Sequence, residues 1–202
     1  MLTLAIETST PIGSVAVYAF DEIVYEQSFT ADRSHSSALF VALQQAKGYA
    51  RRVDQVAIGL GPGSYAGVRI AIAGALGLQM GLGAKLLGIP SVAAFRVSVT
   101  SYIAIGDARR DSFYFTFVED GVCIRGPVLL AESELREKLH AHGTLPVFSS
   151  EPIPAFPTAQ RATPSASVLA QLAATGRGIV QKGDLEPIYL REPHITQPRV
   201  RL

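Results

Sequence analysis

The chain has 202 residues, enough for one large domain or two small ones, and enough to bury a core without disulfides or a structural metal. Hydrophobic residues make up 48% and charged residues only 17%, below the roughly 25% that is usual, so tight folding or a partner must cover much of the surface. A net charge of +1 excludes a strongly basic nucleic-acid protein as the default. The single cysteine, Cys123, excludes a disulfide framework and any multi-cysteine metal site, and the absence of asparagine excludes N-glycosylation.

The opening Met-Leu-Thr-Leu-Ala-Ile-Glu has no basic lead and reads as a strand rather than a signal peptide. Residues 2–7, 14–20 and 23–29 are short, β-branched or alternating, and are separated by the turn residues Pro11, Gly13 and Asp21, which predicts three strands. A helix is expected over about 35–50, entered through Ser34 as a cap, then a strand over 53–60. Gly61-Pro62-Gly63-Ser64 precedes a long apolar helix over about 65–81, and 85–89 reads as a further strand. The charge-free stretch 70–84 is shorter than the ~20 residues of a membrane span and carries four glycines, so a cytoplasmic protein is expected.

The pattern then starts again. Strands are predicted over 102–107, 112–119 and 122–128, a helix over 132–142, a short strand over 146–149 and a last helix over 167–174. Residues 151–164, with four prolines, read as loop. Ala5-Ile6-Glu7 aligns with Ile105-Gly106-Asp107, each an apolar strand that ends in an acid. The best description is an α/β chain of two βββα copies with mixed sheets, divided into lobes at 1–97 and 98–202. This order resembles the actin-like, or ribonuclease H-like, ATPase fold, in which the first strand of each lobe ends in an acid aimed at the interlobe cleft. That resemblance makes Glu7 and Asp107 the candidates. Charge is uneven along the chain: residues 31–101 hold seven bases and two acids, a bias that suits scattered solvated side chains better than a nucleic-acid footprint.

Residues 59–69 are the most informative stretch. Glycine lets backbone approach an anion, and a helix N-terminus offers unpaired N–H groups, so Gly61, Gly63 and Ser64 are candidate nucleotide-binding residues with Ser64 as N-cap. Tight turns use glycine in the same way. The loop has neither the Gly-Lys-Ser/Thr ending of a Walker A motif nor the glycine spacing of a dinucleotide fingerprint.

Together, Ala-Ile-Glu-Thr-Ser-Thr at 5–10, Arg-Ser-His-Ser at 33–36, Gly-Pro-Gly-Ser-Tyr-Ala-Gly-Val-Arg at 61–69, Asp-Ala-Arg-Arg at 107–110 and Pro-Ile-Tyr-Leu-Arg at 187–191 resemble the TsaB (YeaZ) family of glycoprotease-like proteins. The chain departs from that family's pattern at Glu7, where Asp is usual, at Tyr65-Ala66, where Phe-Thr is usual, and in a shorter stretch between Pro90 and Tyr102. The resemblance implies a role in making threonylcarbamoyladenosine in tRNA, in the cytoplasm. It implies a TsaD paralogue that carries the transferase site and its metal, a small ATPase, TsaE, that joins the pair, and a homodimer when the chain is alone. Members are regarded as non-catalytic scaffolds, with ATP or ADP bound only in the assembled complex and tRNA met indirectly.

The residues themselves agree. TsaD holds its metal with two histidines four apart on a helix; here His35 is followed at that spacing by Leu39, so the pair is absent. His140 and His142 are two apart and share no helical face, and His194 lies among prolines. Cys123 sits in an apolar strand and reads as inert. No local peptidase signature occurs, which leaves the glycopeptidase reading weakest. An ATP-dependent phosphotransferase of the same fold is the alternative, and it needs Glu7, Asp107 and the 61–64 loop to bind Mg-ATP.

The binding surface is expected on the two N-terminal helices. Leu39, Ala42, Leu43 and Ala46 form one apolar stripe, with Phe40 and Val41 outside it. The second helix has one sizeable polar side chain beyond Ile70, Gln79, and small residues four apart at Ala73, Gly77 and Gly81. His35, Leu39, Phe40, Leu43, Ile70, Ala73, Gly74, Gly77 and Gly81 are the candidate interface.

Overall fold

The computed structural model describes residues 1–30, 35–50 and 52–191, with the backbone alone for His35. Ser34 and Arg33, read above as a cap and part of a motif, and His194 lie outside the described residues.

The first meander is β1 (Thr3–Glu7), β2 (Ile12–Ala19) and β3 (Glu22–Thr30), followed by α1 (His35–Ala46) and β4 (Gln55–Gly59). The second is β6 (Ser101–Asp107), β7 (Ser112–Glu119) and β8 (Val122–Ala131), followed by α3 (Glu132–Ala141) and β9 (Val147–Ser149). In both copies the first two strand pairs are antiparallel, and the strand after the helix returns parallel to the first. Glu7 and Asp107 end the equivalent strands β1 and β6. After β4 come α2 (Tyr65–Leu82), β5 (Lys85–Ile89) and a 3-10 turn at Ser91–Ala94. Two-residue strands, β10 (Gln160–Arg161) and β11 (Gln181–Lys182), flank α4 (Ala166–Ala174). The sheet orders are β11-β5-β4-β1-β2-β3 and β10-β9-β6-β7-β8.

Side-chain alternation explains the layers. Leu4, Ile6, Val15, Val17, Val56 and Ile58 point to one face of the first sheet and form a core with α1 and α2. The intervening Ala5, Ala16 and Ala57 point to the other face, where α4, the 3-10 turn and residues of the second sheet pack on them. Small side chains there let α4 lie close across β1, β2 and β4. Outside the second sheet, Ile103, Ile105, Phe113 and Phe115 pack around Leu135 of α3. The segment after residue 165 therefore returns to the first sheet, supplying both α4 and its edge strand β11. It is fixed by Arg96, which donates to Glu26, Ser165 and Ser167 together, and by the Ala166 N–H, which donates to Ser14 Oγ at 2.9 Å.

The first helix is shorter than the pattern suggests. It stops at Ala46 because the bonds tighten there, Gly48 N–H reaching Gln45 O at 3.3 Å, and Tyr49 folds back to stack on Tyr25 at 4.9 Å. α2 starts on Ser64, whose Oγ accepts from the Gly67 N–H, and ends on Gly83 at φ +69, a left-handed position suited to glycine. By length and composition α2 would also suit a membrane span, with mean hydropathy 1.3, but Gly67, Val68, Ala71, Ile72 and Ala75 are buried within the fold.

Candidate functional site

The end of β1 does not aim its acid at open space. Glu7 is wholly buried, and Oε1 accepts the Ser9 N–H at 2.6 Å. A Cβ on Gly59 would fall 1.8 Å from Oε2 and 2.7 Å from Ser91 Oγ, so the carboxyl lies on the bare backbone of β4 beside that hydroxyl. Oε2 has no hydrogen-bond partner among the described residues, and burial pushes the carboxyl above its ordinary 4.5, although the polar groups of Ser9, Ser91 and Thr8 near it pull the other way. The expectation that Glu7 faces the cleft is thus corrected: burial favours a neutral acid inside the sheet.

The glycine loop is explained by close packing. A Cβ at Gly63 would fall 2.2 Å from Ser9 O, and one at Gly67 would fall 2.0 Å from Thr8 O, so both glycines let the β1–β2 turn seat against the start of α2. Three loop amides are engaged inside the chain: Gly61 N–H donates to Ser91 Oγ (3.0 Å), Ser64 N–H to Ser9 O (2.6 Å) and Gly67 N–H to Ser64 Oγ (3.2 Å). These donors are not free to cradle a phosphate.

Asp107 does reach a cleft, a cavity of about 660 Å³ between the lobes that also takes in Ser9, Gly63, Ser64, Arg161 and Tyr189. Of the five candidate nucleotide residues, Gly63, Ser64 and Asp107 line this cavity, and Glu7 and Gly61 do not. Asp107 is already engaged: Oδ1 accepts the Arg109 N–H at 2.6 Å, and Oδ2 lies 3.3 Å from Arg109 Nη1. The turn that folds Arg109 back is strained, with Arg109, Arg110 and Asp111 all at positive φ (64°, 53° and 54°).

These residues do not fit the metal of the TsaD type. Leu39, four residues after His35, is fully buried in the core, and the His35 side chain lies outside the described residues. No group of three histidine, cysteine, aspartate or glutamate side chains is arranged for a metal among the described residues. Nor do Glu7 and Asp107 fit a hydrated magnesium ion, one being buried and favoured as a neutral acid, the other paired with Arg109. Cys123 is half-buried, and burial pushes its thiol up to about 12, so it stays protonated at neutral pH.

The helix surface is sorted differently from the sequence reading. Leu39 is 0% exposed, and a Cβ on Gly74 would stand 3.8 Å from its Cδ2, so it belongs to the core between α1 and α2 and not to an interface. Leu43 and Ile70 are half-buried against that core. Phe40 (57% exposed), Ala73, Gly77 and Gly81 do face outward, and a Cβ on either of those two glycines would meet nothing within 4 Å. Val41, Leu76 and Met80 join them, Met80 being 88% exposed. None of these three is among the candidate interface residues read from the sequence. On α2 their signal lay on the stripe already singled out: Leu76 and Met80 stand three residues after Ala73 and Gly77, on the side away from Val68, Ala71, Ile72 and Ala75, whereas the apolar stripe of α1 at Leu39, Ala42 and Ala46 is the buried one.

Comparison with known proteins agrees with the motifs. The family model of TsaD, tRNA N6-adenosine threonylcarbamoyltransferase, matches residues 23–125, just over half of the chain. An uncharacterized protein of Mycobacterium leprae (strain TN) is 32% identical over 137 residues, which is 63% of this chain and 38% of that protein. The tRNA threonylcarbamoyladenosine biosynthesis protein TsaB of Haemophilus influenzae is 30% identical over 125 residues, 57% of this chain and 52% of that protein. The chain thus spans about two-fifths to one-half of these two curated relatives. A crystal structure of an uncharacterized protein with similarity to peptidase YEAZ from Pseudomonas aeruginosa superposes with a TM-score of 0.75 at 26% identity, covering 94% of this chain and 99% of that one. With two mixed sheets in the actin-like, ribonuclease H-like arrangement, the chain belongs to the TsaD family and, within it, to the TsaB (YeaZ) group.

Proposed function

We propose that the chain is a non-catalytic scaffold subunit in tRNA threonylcarbamoyladenosine biosynthesis, and that the exposed side of α1 and α2 docks a TsaD-type transferase. Its two lobes, 1–97 and 98–202, form the platform, with α4 and β11 of the second tying it to the first. The observation that carries the reading is α2. It is an 18-residue apolar helix with five buried residues, and it leaves Leu76 and Met80 in solvent, as the neighbouring α1 leaves Phe40 and Val41. Covering such a face removes apolar area from water at roughly 25 cal/mol per Å², and it suits a helix pair from another chain. The candidate cleft residues, with Asp107 paired and Glu7 buried, favour a support role over phosphotransfer. TsaE joins the pair, nucleotide is bound in the assembly, tRNA is reached through it, and the chain pairs with itself when TsaD is missing.

Met80→Asp and Gly77→Arg place charge on this face at exposed positions and leave the fold intact. In pull-down and light scattering both variants lose the transferase complex. Wild-type-like capture by both would refute the docking surface.

A further inference from the structure

Arg69 is the only acidic or basic residue in α2, and α1 contains no acid, lysine or arginine. It stands on the exposed side of α2, in line with Ala73, Leu76, Gly77 and Met80 at spacings of three and four residues. A surface arginine ordinarily samples many rotamers; this one is held. Nη1 lies 3.3 Å from the Tyr65 hydroxyl and 3.4 Å from the Tyr189 hydroxyl, and the guanidinium carbon sits 5.2 Å from the centre of the Tyr65 ring. The two tyrosines stack at 5.3 Å. Tyr65 is local, one turn before Arg69. Tyr189 comes from a segment 120 residues further on, fixed to the first lobe by the Ile188 N–H donating to Leu60 O at 2.8 Å. Tertiary structure therefore orients the cation, while Tyr65 (51%) and Tyr189 (41%) keep the cluster open to solvent. None of the ion pairs among the described residues includes Arg69.

We infer that Arg69 is the polar anchor of the docking face, and that its partner is a different chain presenting a carboxylate next to an apolar helical surface. The inference rests on the docking role proposed above and adds the chemistry of the partner. Charge complementarity selects the occupant. A second copy docked through the same two helices brings neutral side chains and its own Arg69, with no helical acid for the guanidinium. A foreign helix with a carboxylate completes it. Because the guanidinium is already oriented, pairing costs little further side-chain entropy, and its planar fork suits two parallel bonds to a carboxylate.

The test uses the full chain and the same organism's TsaD-type transferase, with affinity measured by calorimetry at low and at physiological ionic strength. Arg69→Ala is expected to weaken the complex about tenfold or more and to flatten its salt dependence, and Arg69→Lys to recover only part of the loss. Tyr189→Phe weakens binding less, and has no added effect in the Arg69→Ala background, because Tyr189 acts by positioning the arginine. Self-association of the chain alone is unchanged by Arg69→Ala. If Met80→Asp disrupts the complex while Arg69→Ala alters neither affinity nor salt dependence, the anchor is refuted and the docking face stands. If Met80→Asp also binds like wild type, both fall. Equal weakening of self-association by Arg69→Ala would overturn the assignment to a different chain.

Discussion

Replacing Glu7 by glutamine separates a buried neutral acid from an ion-binding carboxylate. Desolvation dominates at Glu7 and raises its pKa above the ordinary 4.5, outweighing the Ser9 N–H bond and the polar groups of Ser91 and Thr8 near it. The folded protein therefore keeps this proton at pH values where the unfolded chain has released it. In that window the native state binds one more proton than the unfolded state, so this group's contribution to stability is greatest at low pH. It declines as pH rises above 4.5, by about 1.4 kcal/mol per pH unit, until the folded-state value is passed. Glutamine has nearly the same shape and no titration. Its carbonyl can accept the Ser9 N–H, and its amide can stand where Oε2 lies beside Ser91. The unfolding free energy of wild type minus that of Glu7→Gln should thus fall steadily with pH across the window. Urea titrations followed by circular dichroism at a series of pH values measure the difference. A difference that rises with pH would show a carboxylate held in its ionised form, a flat one a carboxyl whose titration folding does not change, and either would refute the buried-acid reading.

Two further outcomes follow from the same packing. Leu39→Ala should cost about 2–5 kcal/mol in a thermal or urea melt, because a fully buried leucine leaves a cavity between α1 and α2; a cost under about 0.5 kcal/mol would return Leu39 to the surface. Arg110→Gly should gain about 0.5–1 kcal/mol by relieving the middle residue of the left-handed run that turns Arg109 onto Asp107, and a lower melting temperature would show that the arginine side chain outweighs the backbone strain.

The duplicated meander was legible in the sequence because alternation is a local property. Leu4 and Ile6 against Ala5, and Ile103 and Ile105 against Ala104, announce both strands and their faces, and β5 and β7 fall where the pattern puts them. The cap of α2 was equally local, needing only Ser64 three residues before Gly67. Contacts between distant residues were not legible. Helical spacing puts Leu39 on one stripe with Ala42 and Ala46 and leaves Phe40 off it, but which of the two sides enters the core is settled by the sheet on which α1 packs. Glu7 reads as a strand-end acid until Gly59 and Ser91 are seen to enclose it, and Gly63 reads as part of an anion loop until the β1–β2 turn is seen packed on it. The two short strands β10 and β11 carry too few residues to show a period, and each exists only by pairing with a strand already formed. Arg69 stands out as the lone charge of α2, but Tyr189, whose hydroxyl accepts from it and whose ring stacks on Tyr65, lies 120 residues away.

The most direct measurement is the mass of the chain by multi-angle light scattering, alone and mixed with the TsaD-type transferase, with and without TsaE and ATP. A defined complex built on one copy of each chain, abolished by Met80→Asp and weakened by Arg69→Ala, is the result the scaffold account predicts. Separate peaks for the two chains under every condition, together with ATP hydrolysis by the chain alone, would contradict it.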